Sequence, residues 1–436
     1  MARTEGVADE VMSATLRLLW GFRIELAVLI TVGGGWGLGE RAVGPILPSV
    51  LVGLTVVGLV AWGRSRRFAW KQLRFASVRR RFASGLRAAG FDKDRERTPM
   101  VLRTEQTAAG YALWVQMPPG TSVIDLEKAA LVTAAAMGVA EVRVTKDRTN
   151  ASLATVAIIR RDPLNTPVPL PSPLGEARSW DLWKPIPVGV DEDGRHVTVS
   201  LPEHNVLLGG EPGAGKSVAL SLLVAAAALD PSVSLWLFDG KRVELAPWAP
   251  CATRLVGPDL AEAISVLEQL RTEMDCRYAE LLAWGRRKVA PDDGLGLHVV
   301  VLDELALYLA SGDRKQRDRL AELLRDLVAR GRAAGVIVLA ATQKPSSDII
   351  PTSVRDLFGF RWALRCATRE ASDTILGSGW AAEGCSAADI DARARGTGYL
   401  LHEGGIPVRM RAAYLDDVAI AAIATRAAAL RNGDGP

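Results

Sequence analysis

Cysteine and histidine are scarce in this chain of 436 residues, which contains only four of each. The cysteines form no CxxC pair, and the sequence has no HExxH motif. These absences argue against a zinc module and against a disulfide scaffold, and they indicate reduced thiols in an intracellular compartment. The sequence also lacks the composition of a disordered chain, since 49% of its residues are hydrophobic and 23% are charged. Its length suggests about three domains.

An overall excess of positive charge is also missing, because 53 Lys and Arg residues face 49 Asp and Glu residues. The balance is uneven along the chain. Residues 1–100 hold 16 basic and 8 acidic residues, which leaves 37 basic and 41 acidic residues in the remainder. A uniformly basic protein that coats DNA is therefore excluded, and the basic character belongs to the N-terminal region.

Two apolar stretches near the N-terminus predict a membrane anchor over residues 1–67. Residues 42–62 carry no charge over 21 positions, and as a helix they would span about 31 Å, close to the thickness of a hydrocarbon core. The second stretch is weaker, and a span over about 22–38 places Arg23 and Glu25 at the membrane edge. We therefore expect two transmembrane helices, at about 22–38 and 42–62.

The segment after these stretches predicts the orientation of the anchor. Between Arg64 and Arg81 the chain has eight basic residues and no acidic one, and the positive-inside rule places such a flank in the cytoplasm. The sequence thus predicts a multi-pass membrane protein whose remaining domains are cytoplasmic. A buried helical hairpin within a soluble domain is the alternative, whereas the acidic residues before the apolar run disfavour a cleaved signal peptide.

The middle of the chain predicts a small α/β domain over 68–163. Strand-like segments at 111–117, 139–144 and 153–159 accompany a segment with helical spacing at 123–137. This domain shows no catalytic constellation of its own. A proline-rich stretch at 164–187 predicts a linker to a second domain at 188–436.

The strongest motif follows a short apolar strand and precedes an Ala- and Leu-rich helix. It reads GEPGAGKS and fits the pattern G-x-x-x-x-G-K-S. Its glycines allow the backbone to wrap so that successive N–H groups surround phosphate oxygens, its lysine reaches the β- and γ-phosphates, and its serine binds Mg²⁺. The predicted nucleotide ligands are Gly210, Glu211, Pro212, Gly213, Ala214, Gly215, Lys216 and Ser217.

Polar residues at the ends of three further apolar strands complete the predicted site. Asp303 and Glu304 end the strand HVVVLDE, where the aspartate would hold Mg²⁺ and the glutamate would act as general base toward water. Gln343 follows VIVLAAT and is expected to reach the γ-phosphate, and Asp239 ends SLWLF and joins the nucleotide site. Alternating strands and helices predict a parallel sheet covered on both faces, with ligands at the carboxyl ends of its strands.

Five strings in order resemble the motor domain of the FtsK/SpoIIIE family of DNA translocases. They are NVLLGGEPGAGKSVAL (Asn205–Leu220), FDGKRVEL (Phe238–Leu245), VVLDELA (Val300–Ala306), RAAGVIVLAATQKP (Arg332–Pro345) and DTILG (Asp373–Gly377). The resemblance covers about 180–415. It implies a RecA-like α/β P-loop ATPase that uses ATP and Mg²⁺ and forms a ring, commonly a hexamer, around double-stranded DNA.

The resemblance also implies an arginine that reaches the nucleotide of the neighbouring subunit. The candidates are Arg330, Arg332 and Arg361, and among these the latter two are predicted as catalytic residues. Lys344 and Arg355 are predicted contacts to DNA phosphates. Two positions depart from the family pattern, because many relatives have proline in place of Gly240 and arginine in place of Asp373.

The layout of anchor, small domain and single motor is similar to the transfer proteins of actinobacterial conjugative plasmids and integrative elements. The sequence ends soon after a helix-like stretch at 416–431, so we expect no winged-helix module. The predicted function is therefore a translocase at the bacterial cell membrane that moves double-stranded DNA between cells. A chromosome-segregation translocase and an ATPase of a protein secretion system are the alternatives.

Overall fold

A computed structural model of the chain describes residues 63–91, 98–147, 149–162, 164–165, 169–346 and 352–433. The described chain divides between Arg160 and Arg161 into two compact units. The predicted transmembrane helices at 22–38 and 42–62 lie outside the described residues. Within the described ranges, no helix is both long enough and apolar enough to cross a membrane.

Among its described residues, the first unit has a four-stranded antiparallel sheet and two helices. Its elements are α1 (Gly63–Ala88), β1 (Met100–Gln106), β2 (Gly110–Gln116), α2 (Val123–Met137), β3 (Glu141–Lys146) and β4 (Leu153–Ile159). The strand order is β1-β2-β4-β3. Helix α2 confirms the predicted helix at 123–137, and it starts at Ser122, whose side chain accepts the Asp125 N–H in a capping box. Phe82 of α1 and Leu113 of β2 are fully buried in the shared core.

The second unit contains a ten-stranded mixed sheet and seven helices among the described residues. Its strands are β5 (Ile186–Asp191), β6 (His196–Val199), β7 (Val206–Gly209), β8 (Ser234–Phe238), β9 (Arg254–Val256), β10 (His298–Leu302), β11 (Val336–Thr342), β12 (Phe360–Leu364), β13 (Thr397–His402) and β14 (Val408–Ala412). Its helices are α3 (Lys216–Ala228), α4 (Leu260–Ala283), α5 (Leu305–Ala310), α6 (Arg314–Arg330), α7 (Thr352–Arg355), α8 (Arg369–Leu376) and α9 (Asp417–Arg431).

The strand order is β6-β5-β14-β13-β12-β7-β11-β10-β8-β9. The six strands from β12 to β9 are parallel, as predicted, whereas β13, β14, β5 and β6 extend the sheet with antiparallel strands. The prediction of a parallel sheet was therefore incomplete. Short turns join β5 to β6 and β13 to β14, with Gly194 at φ 75° and Gly404 at φ 74°, and so short a connection can join only antiparallel neighbours.

Helices cover both faces of the sheet. On one face Leu208 and Leu237 pack in the core that includes α3 and α9, and on the other face Leu207 and Val300 pack against α4 and α6. Because both faces are covered, the central strands are mostly apolar. The polar residues that follow these strands therefore gather at the carboxyl edge of the sheet.

The proline-rich stretch predicted as a linker at 164–187 belongs in part to the second unit. Leu174, Leu182 and Ile186 of this stretch are fully buried in its core. The folded unit therefore begins before residue 188. The described prolines of this stretch are exposed or half-buried, and the apolar residues between them supply the core contacts.

Candidate functional site

The loop between β7 and α3 has the conformation that the glycine-rich motif predicts. Gly213 and Gly215 adopt positive φ values of 79° and 103°, which favour glycine. Gly215 occupies the N-cap position of α3, where no side chain caps the helix. The first N–H groups of α3 are therefore available to an anion, and the helix dipole favours negative charge at this end.

Neighbouring strands hold the first part of this loop. The Gly210 N–H donates to the Thr342 carbonyl at 3.3 Å, and the Glu211 N–H donates to the Arg365 carbonyl at 2.9 Å. The Glu211 carboxylate also forms an ion pair with Arg365. The Glu211 N–H is thus engaged within the protein, whereas the predicted ligands Pro212 and Gly213 are exposed.

The segment before β13 supports the second part of the loop. The Gly396 N–H donates to the Ala214 carbonyl at 2.9 Å, and a Cβ atom at Gly215 would lie 3.0 Å from the Gly396 backbone. Sequence reasoning missed Arg365 and Gly396. Both lie more than 140 positions after the motif, and the pairing of β12 with β7 and of β13 with β12 brings them near it.

Lys216 is the first residue of α3, and it lies beside the two acidic residues that follow β10. Its side chain is buried, and its Nζ donates to the Asp303 carbonyl at 2.6 Å. Burial lowers the pKa of Lys216, while the nearby Glu304 and Asp303 oppose this shift. Ser217 follows as the second residue of the helix and is half-buried. The structure thus brings Lys216 together with Asp303 and Glu304.

Asp303 follows β10 and is fully buried. Its Oδ1 accepts the Gly240 N–H at 3.1 Å, and a proline at position 240 could not donate this bond. Burial raises the pKa of Asp303 to about 6, with a further contribution from the negative charge of Asp239, whereas the Gly240 N–H opposes the rise. Its Oδ2 is buried and has no hydrogen-bond partner among the described residues.

Glu304 is held by the end of β11. Its Oε1 accepts the Thr342 hydroxyl at 2.8 Å, and both of its carboxylate oxygens accept the Gln343 N–H at 3.1 Å. The backbone of Gln343 therefore positions Glu304, and the half-buried Gln343 side chain lies at the same edge. Sequence reasoning missed Thr342, although a polar residue that ends an apolar strand is a usable signal.

Asp239 lies at the same edge, after β8, and is fully buried. Its Oδ2 accepts the N–H groups of Leu245 and Ala246 at 2.9 and 3.1 Å. One carboxylate oxygen therefore fixes the loop at 240–245. This loop brings Lys241 and Glu244 close enough to affect the pKa of Lys216, which Glu244 raises and Lys241 lowers.

The three candidate arginines lie away from the P-loop of their own chain. Arg332 belongs to a turn before β11, and Arg361 is the second residue of β12, so both lie toward the amino ends of strands whose carboxyl ends face the P-loop. Arg332 pairs with Glu403 at 3.2 Å, and Arg361 pairs with Asp356 at 3.4 Å.

Arg330 is the most firmly engaged of the three, because its guanidinium pairs with both Asp275 and Asp326. Burial lowers the pKa of Arg361, and the nearby Asp356 opposes the shift. The structure therefore does not bring the predicted catalytic arginines together with Lys216 and Glu304.

The two predicted DNA contacts have different surroundings. Lys344 is exposed, whereas Arg355 is only 7% exposed and pairs with Asp356 at 2.9 Å. A buried and paired guanidinium is poorly placed to bind a phosphate, so this arrangement argues against Arg355. Asp373, which departs from the family pattern, accepts the N–H groups of Gly379 and Ala381 and thereby fixes the turn after α8.

The residues present fit a nucleotide with a divalent cation. The free N–H groups at the start of α3 suit phosphate oxygens, and the buried Asp303 Oδ2, which lacks a partner, suits a cation. Within the described residues, no group of three or more His, Cys, Asp or Glu side chains could hold a metal ion alone. A cation here would therefore share its ligands between the protein, water and the nucleotide phosphates.

Comparisons with known proteins agree with this geometry. Residues 174–297 match the family model described as "FtsK/SpoIIIE family". The DNA translocase FtsK of Chlorobaculum tepidum is 31% identical over 192 residues, which are 39% of this chain and 23% of that protein. The DNA translocase FtsK of Pseudomonas aeruginosa is 27% identical over 270 residues, covering 53% of this chain and 32% of that protein. The chain thus spans about a quarter to a third of the length of these relatives.

A solved structure shares the fold. The pCW3 conjugation coupling protein TcpA, in a monomer form with ATPγS, superposes with a TM-score of 0.54 at 17% identity, over 80% of this chain and 98% of that one. At this identity the likeness concerns the fold alone. The family match, the relatives and the P-loop geometry agree over the second unit. The second unit is therefore similar in sequence to the FtsK/SpoIIIE family, and it contains a P-loop between β7 and α3.

Proposed function

We propose that this chain is an ATP-driven double-stranded DNA translocase, anchored in the bacterial cell membrane, that moves DNA between cells during conjugation. One observation carries the ATPase part of this proposal. Lys216, Asp303, Glu304 and the backbone of Gln343 come together at the carboxyl ends of β7, β10 and β11. A site with this composition is suited to phosphoryl transfer to water.

The P-loop would bind the phosphates of ATP. The N–H groups at the start of α3 would donate to phosphate oxygens, while the Gly213 and Gly215 backbone keeps the loop open around them. The Lys216 ammonium, now on the Asp303 carbonyl, would turn toward the β- and γ-phosphates. Because this ammonium is buried, its attraction to phosphate is weakly screened.

Ser217 and Asp303 are the residues that would hold Mg²⁺. When bound, the ion would neutralise negative charge that develops on the phosphate oxygens. Asp303 suits this role because its Oδ2 is buried and lacks a partner among the described residues. Gly240 fixes the other oxygen, so the orientation of the carboxylate is set before any ligand binds.

Glu304 would act as the general base. An ionised carboxylate offers about four acceptor positions, and the contacts with Thr342 and Gln343 use three of them. The remaining position can accept a proton from a water molecule that attacks the γ-phosphate. The Gln343 side chain would orient the same water molecule. Thr342 and Gln343 therefore hold the base in a single orientation.

Arg332 and Arg361 would act on the nucleotide of a neighbouring subunit. Their position toward the amino ends of β11 and β12 excludes a simple approach to the P-loop of their own chain. In a ring such as the resemblance to the FtsK/SpoIIIE family implies, one of them would stabilise the charge of the transition state in the next subunit. Their present partners, Glu403 and Asp356, would release the guanidinium when subunits meet.

The substrate and the location rest on the relatives and on the N-terminal sequence. The two relatives compared above are DNA translocases, and one structural neighbour is a conjugation coupling protein. The uncharged stretch at 42–62 and its basic flank favour an anchor with a cytoplasmic motor. Phosphate contacts such as Lys344 would bind DNA without reading its sequence.

The test is the ATPase rate of the purified full chain in detergent, with and without double-stranded DNA. We expect stimulation by duplex DNA, little stimulation by single-stranded DNA, and no turnover in the Lys216→Ala variant. A robust rate that no DNA changes would contradict the translocase proposal and favour a protein substrate. Normal turnover in Lys216→Ala would contradict the P-loop assignment.

A further inference from the structure

Two buried carboxylates stand side by side at the carboxyl edge of the sheet. Strands β8 and β10 are parallel, with Phe238 opposite Leu302, so Asp239 and Asp303 follow in the same register. The Asp303 N–H donates to the Phe238 carbonyl at 3.2 Å, so the hydrogen-bond ladder continues through this position. Neighbouring strands lie about 4.8 Å apart. Both side chains therefore project from the same face at close range, and both are fully buried.

Each of these carboxylates is satisfied on one oxygen only. Backbone N–H groups of the loop at 240–246 donate to Asp239 Oδ2 and to Asp303 Oδ1. The other two oxygens, Asp239 Oδ1 and Asp303 Oδ2, are buried and have no hydrogen-bond partner among the described residues. Two adjacent buried anions with unsatisfied oxygens are unfavourable unless a positive group lies between them.

Lys216 is a positive group close to Asp303, but it does not satisfy these oxygens. Its Nζ donates to the backbone carbonyl of Asp303, and a bound nucleotide would draw the ammonium toward its phosphates. The pair would then lack a cation at the moment when the site is filled. A cation other than the Lys216 ammonium should therefore bind between these carboxylates together with the nucleotide.

We propose that Asp239 and Asp303 together form the divalent-cation site, with Asp239 binding the ion or one of its water ligands through Oδ1. This inference rests on the proposed function and adds a second acidic group to the cation site. Mg²⁺ is typically bound by one or two carboxylates together with substrate phosphates and water. No larger cluster of metal-binding side chains exists among the described residues, so two carboxylates and the nucleotide suit this ion.

The Asp239→Asn variant separates this role from a purely structural one. The amide oxygen still accepts the N–H groups of Leu245 and Ala246, so the loop at 240–245 keeps its anchor. The new NH₂ group can donate to the unsatisfied Asp303 Oδ2, which removes the repulsion between two anions. We therefore expect the nucleotide-free variant to melt at the same temperature as the wild type or higher, and to bind the cation more weakly.

The experiment measures Mn²⁺ binding to the full chain in the presence of ATPγS. The electron paramagnetic resonance signal of free Mn²⁺ reports how much of the ion remains unbound. We expect at least tenfold weaker Mn²⁺ binding in Asp239→Asn. The matched control is Asp230→Asn, at the other end of α3. Both carboxylate oxygens of Asp230 accept hydrogen bonds, from Leu182 and from Ser232. This control should keep wild-type Mn²⁺ affinity.

Wild-type Mn²⁺ affinity in Asp239→Asn would overturn the proposal. An Asp239→Asn variant that fails to fold, or that melts well below the wild type, would also overturn it, because a neutral amide should suit this buried pair better than a second anion. If the wild type itself binds no ATPγS, the proposed ATPase function fails. If the wild type and Asp239→Asn both bind ATPγS and bind Mn²⁺ equally well, only the role of Asp239 in the cation site fails.

Discussion

Glu304 and Thr342 are joined by a hydrogen bond of 2.8 Å between Oε1 and the threonine hydroxyl. Glu304 lies after β10 and Thr342 ends β11, and these two strands are paired in parallel. Thr342 is fully buried and Glu304 is nearly so. A hydrogen bond in such a place is weakly screened, and it fixes the orientation of the carboxylate. The proposed base is therefore positioned by the neighbouring strand.

The first prediction concerns this hydrogen bond. Thr342→Val removes the hydroxyl and keeps the shape of the side chain. A hydrogen bond to a charged group contributes about 1.5–3 kcal/mol, so we expect kcat for ATP to fall about 10- to 100-fold, with little change in KM. Steady-state ATPase kinetics measure this split. Thr342→Ser keeps the hydroxyl and should restore most of the rate. An unchanged kcat in Thr342→Val would exclude a positioning role.

The second prediction concerns Glu304 itself. Glu304→Gln removes the base but keeps an oxygen that can accept the Thr342 hydroxyl. General-base catalysis contributes about 10²- to 10⁴-fold, so turnover should fall by that factor while ATP still binds. Fluorescent-nucleotide binding and ATPase rates on the same sample separate the two effects. Hydrolysis at the wild-type rate would remove Glu304 from the mechanism.

The third prediction tests whether arginines act between subunits. Arg332→Ala or Arg361→Ala should lower ATPase activity by about 10³-fold or more for the arginine that acts in the neighbouring subunit. Each arginine variant has an intact P-loop, whereas the Lys216→Ala variant has intact arginines. Mixing an inactive arginine variant with Lys216→Ala should restore part of the activity, because some interfaces then combine both intact halves. No recovery with either arginine variant would contradict action between subunits.

The fourth prediction concerns the end of the P-loop helix. The Arg431 guanidinium donates to the carbonyls of Ala227, Ala228, Asp230 and Val233, which follow or end α3. These carbonyls would lack donors in Arg431→Ala, so we expect a loss of about 2 kcal/mol or more and a Tm lower by about 4–8 °C.

The control for Arg431 is an exposed arginine on another helix. Arg314→Ala removes only a surface pair with Asp318 at 3.7 Å. Its effect should stay within about 0.5 kcal/mol. Thermal unfolding of both variants under the same conditions gives the comparison. Equal Tm values for Arg431→Ala and Arg314→Ala would show that α3 does not depend on these hydrogen bonds.

The fifth prediction concerns pH. Burial lowers the pKa of His298 to about 4, Arg277 adds to the shift, and Glu273 opposes it. The unfolded chain therefore binds a proton near the usual value of 6.5, whereas the folded chain does not. The stabilisation is complete above pH 6.5 and is lost as the pH falls toward 4, by up to about 1.4 kcal/mol per pH unit.

The matched variant is His298→Gln, which does not titrate and still offers an oxygen to the Trp236 Nε1–H that His298 Nδ1 now accepts at 2.9 Å. Urea unfolding at several values between pH 7.5 and 4.5 measures the difference. The wild type should lose stability faster than His298→Gln over this range. Parallel curves for the two proteins would contradict a neutral, buried His298.

Much of the second unit could be predicted from short segments of sequence. Strand β11 and helix α9 lie where the apolar run VIVLAAT and the helix-like stretch at 416–431 predict them, to within one residue. The P-loop conformation follows from its glycines, because positive φ at Gly213 and Gly215 is a local property. The order of apolar strands that end in acidic residues likewise predicts which edge carries the chemistry.

Other features depended on residues far apart in sequence. The antiparallel part of the sheet joins β5 and β14, whose pairing includes Val190 with Arg411, and no local pattern predicts that match. Leu174 lies in the predicted linker and is nevertheless buried. Its burial depends on contacts with residues distant in sequence, which the local pattern does not show. Arg355 is basic in sequence yet buried beside Asp356 in the fold.

The sequence by itself determined the chemical groups of the site: a glycine-rich loop with Lys216, and carboxylates that end apolar strands. Only the tertiary structure decided how those groups are used. Register between β8 and β10 sets Asp239 beside Asp303, and pairing of β10 with β11 gives Glu304 its partners. The reason is physical, since hydrogen bonds and buried charges depend on distances of a few ångströms that strand pairing alone fixes.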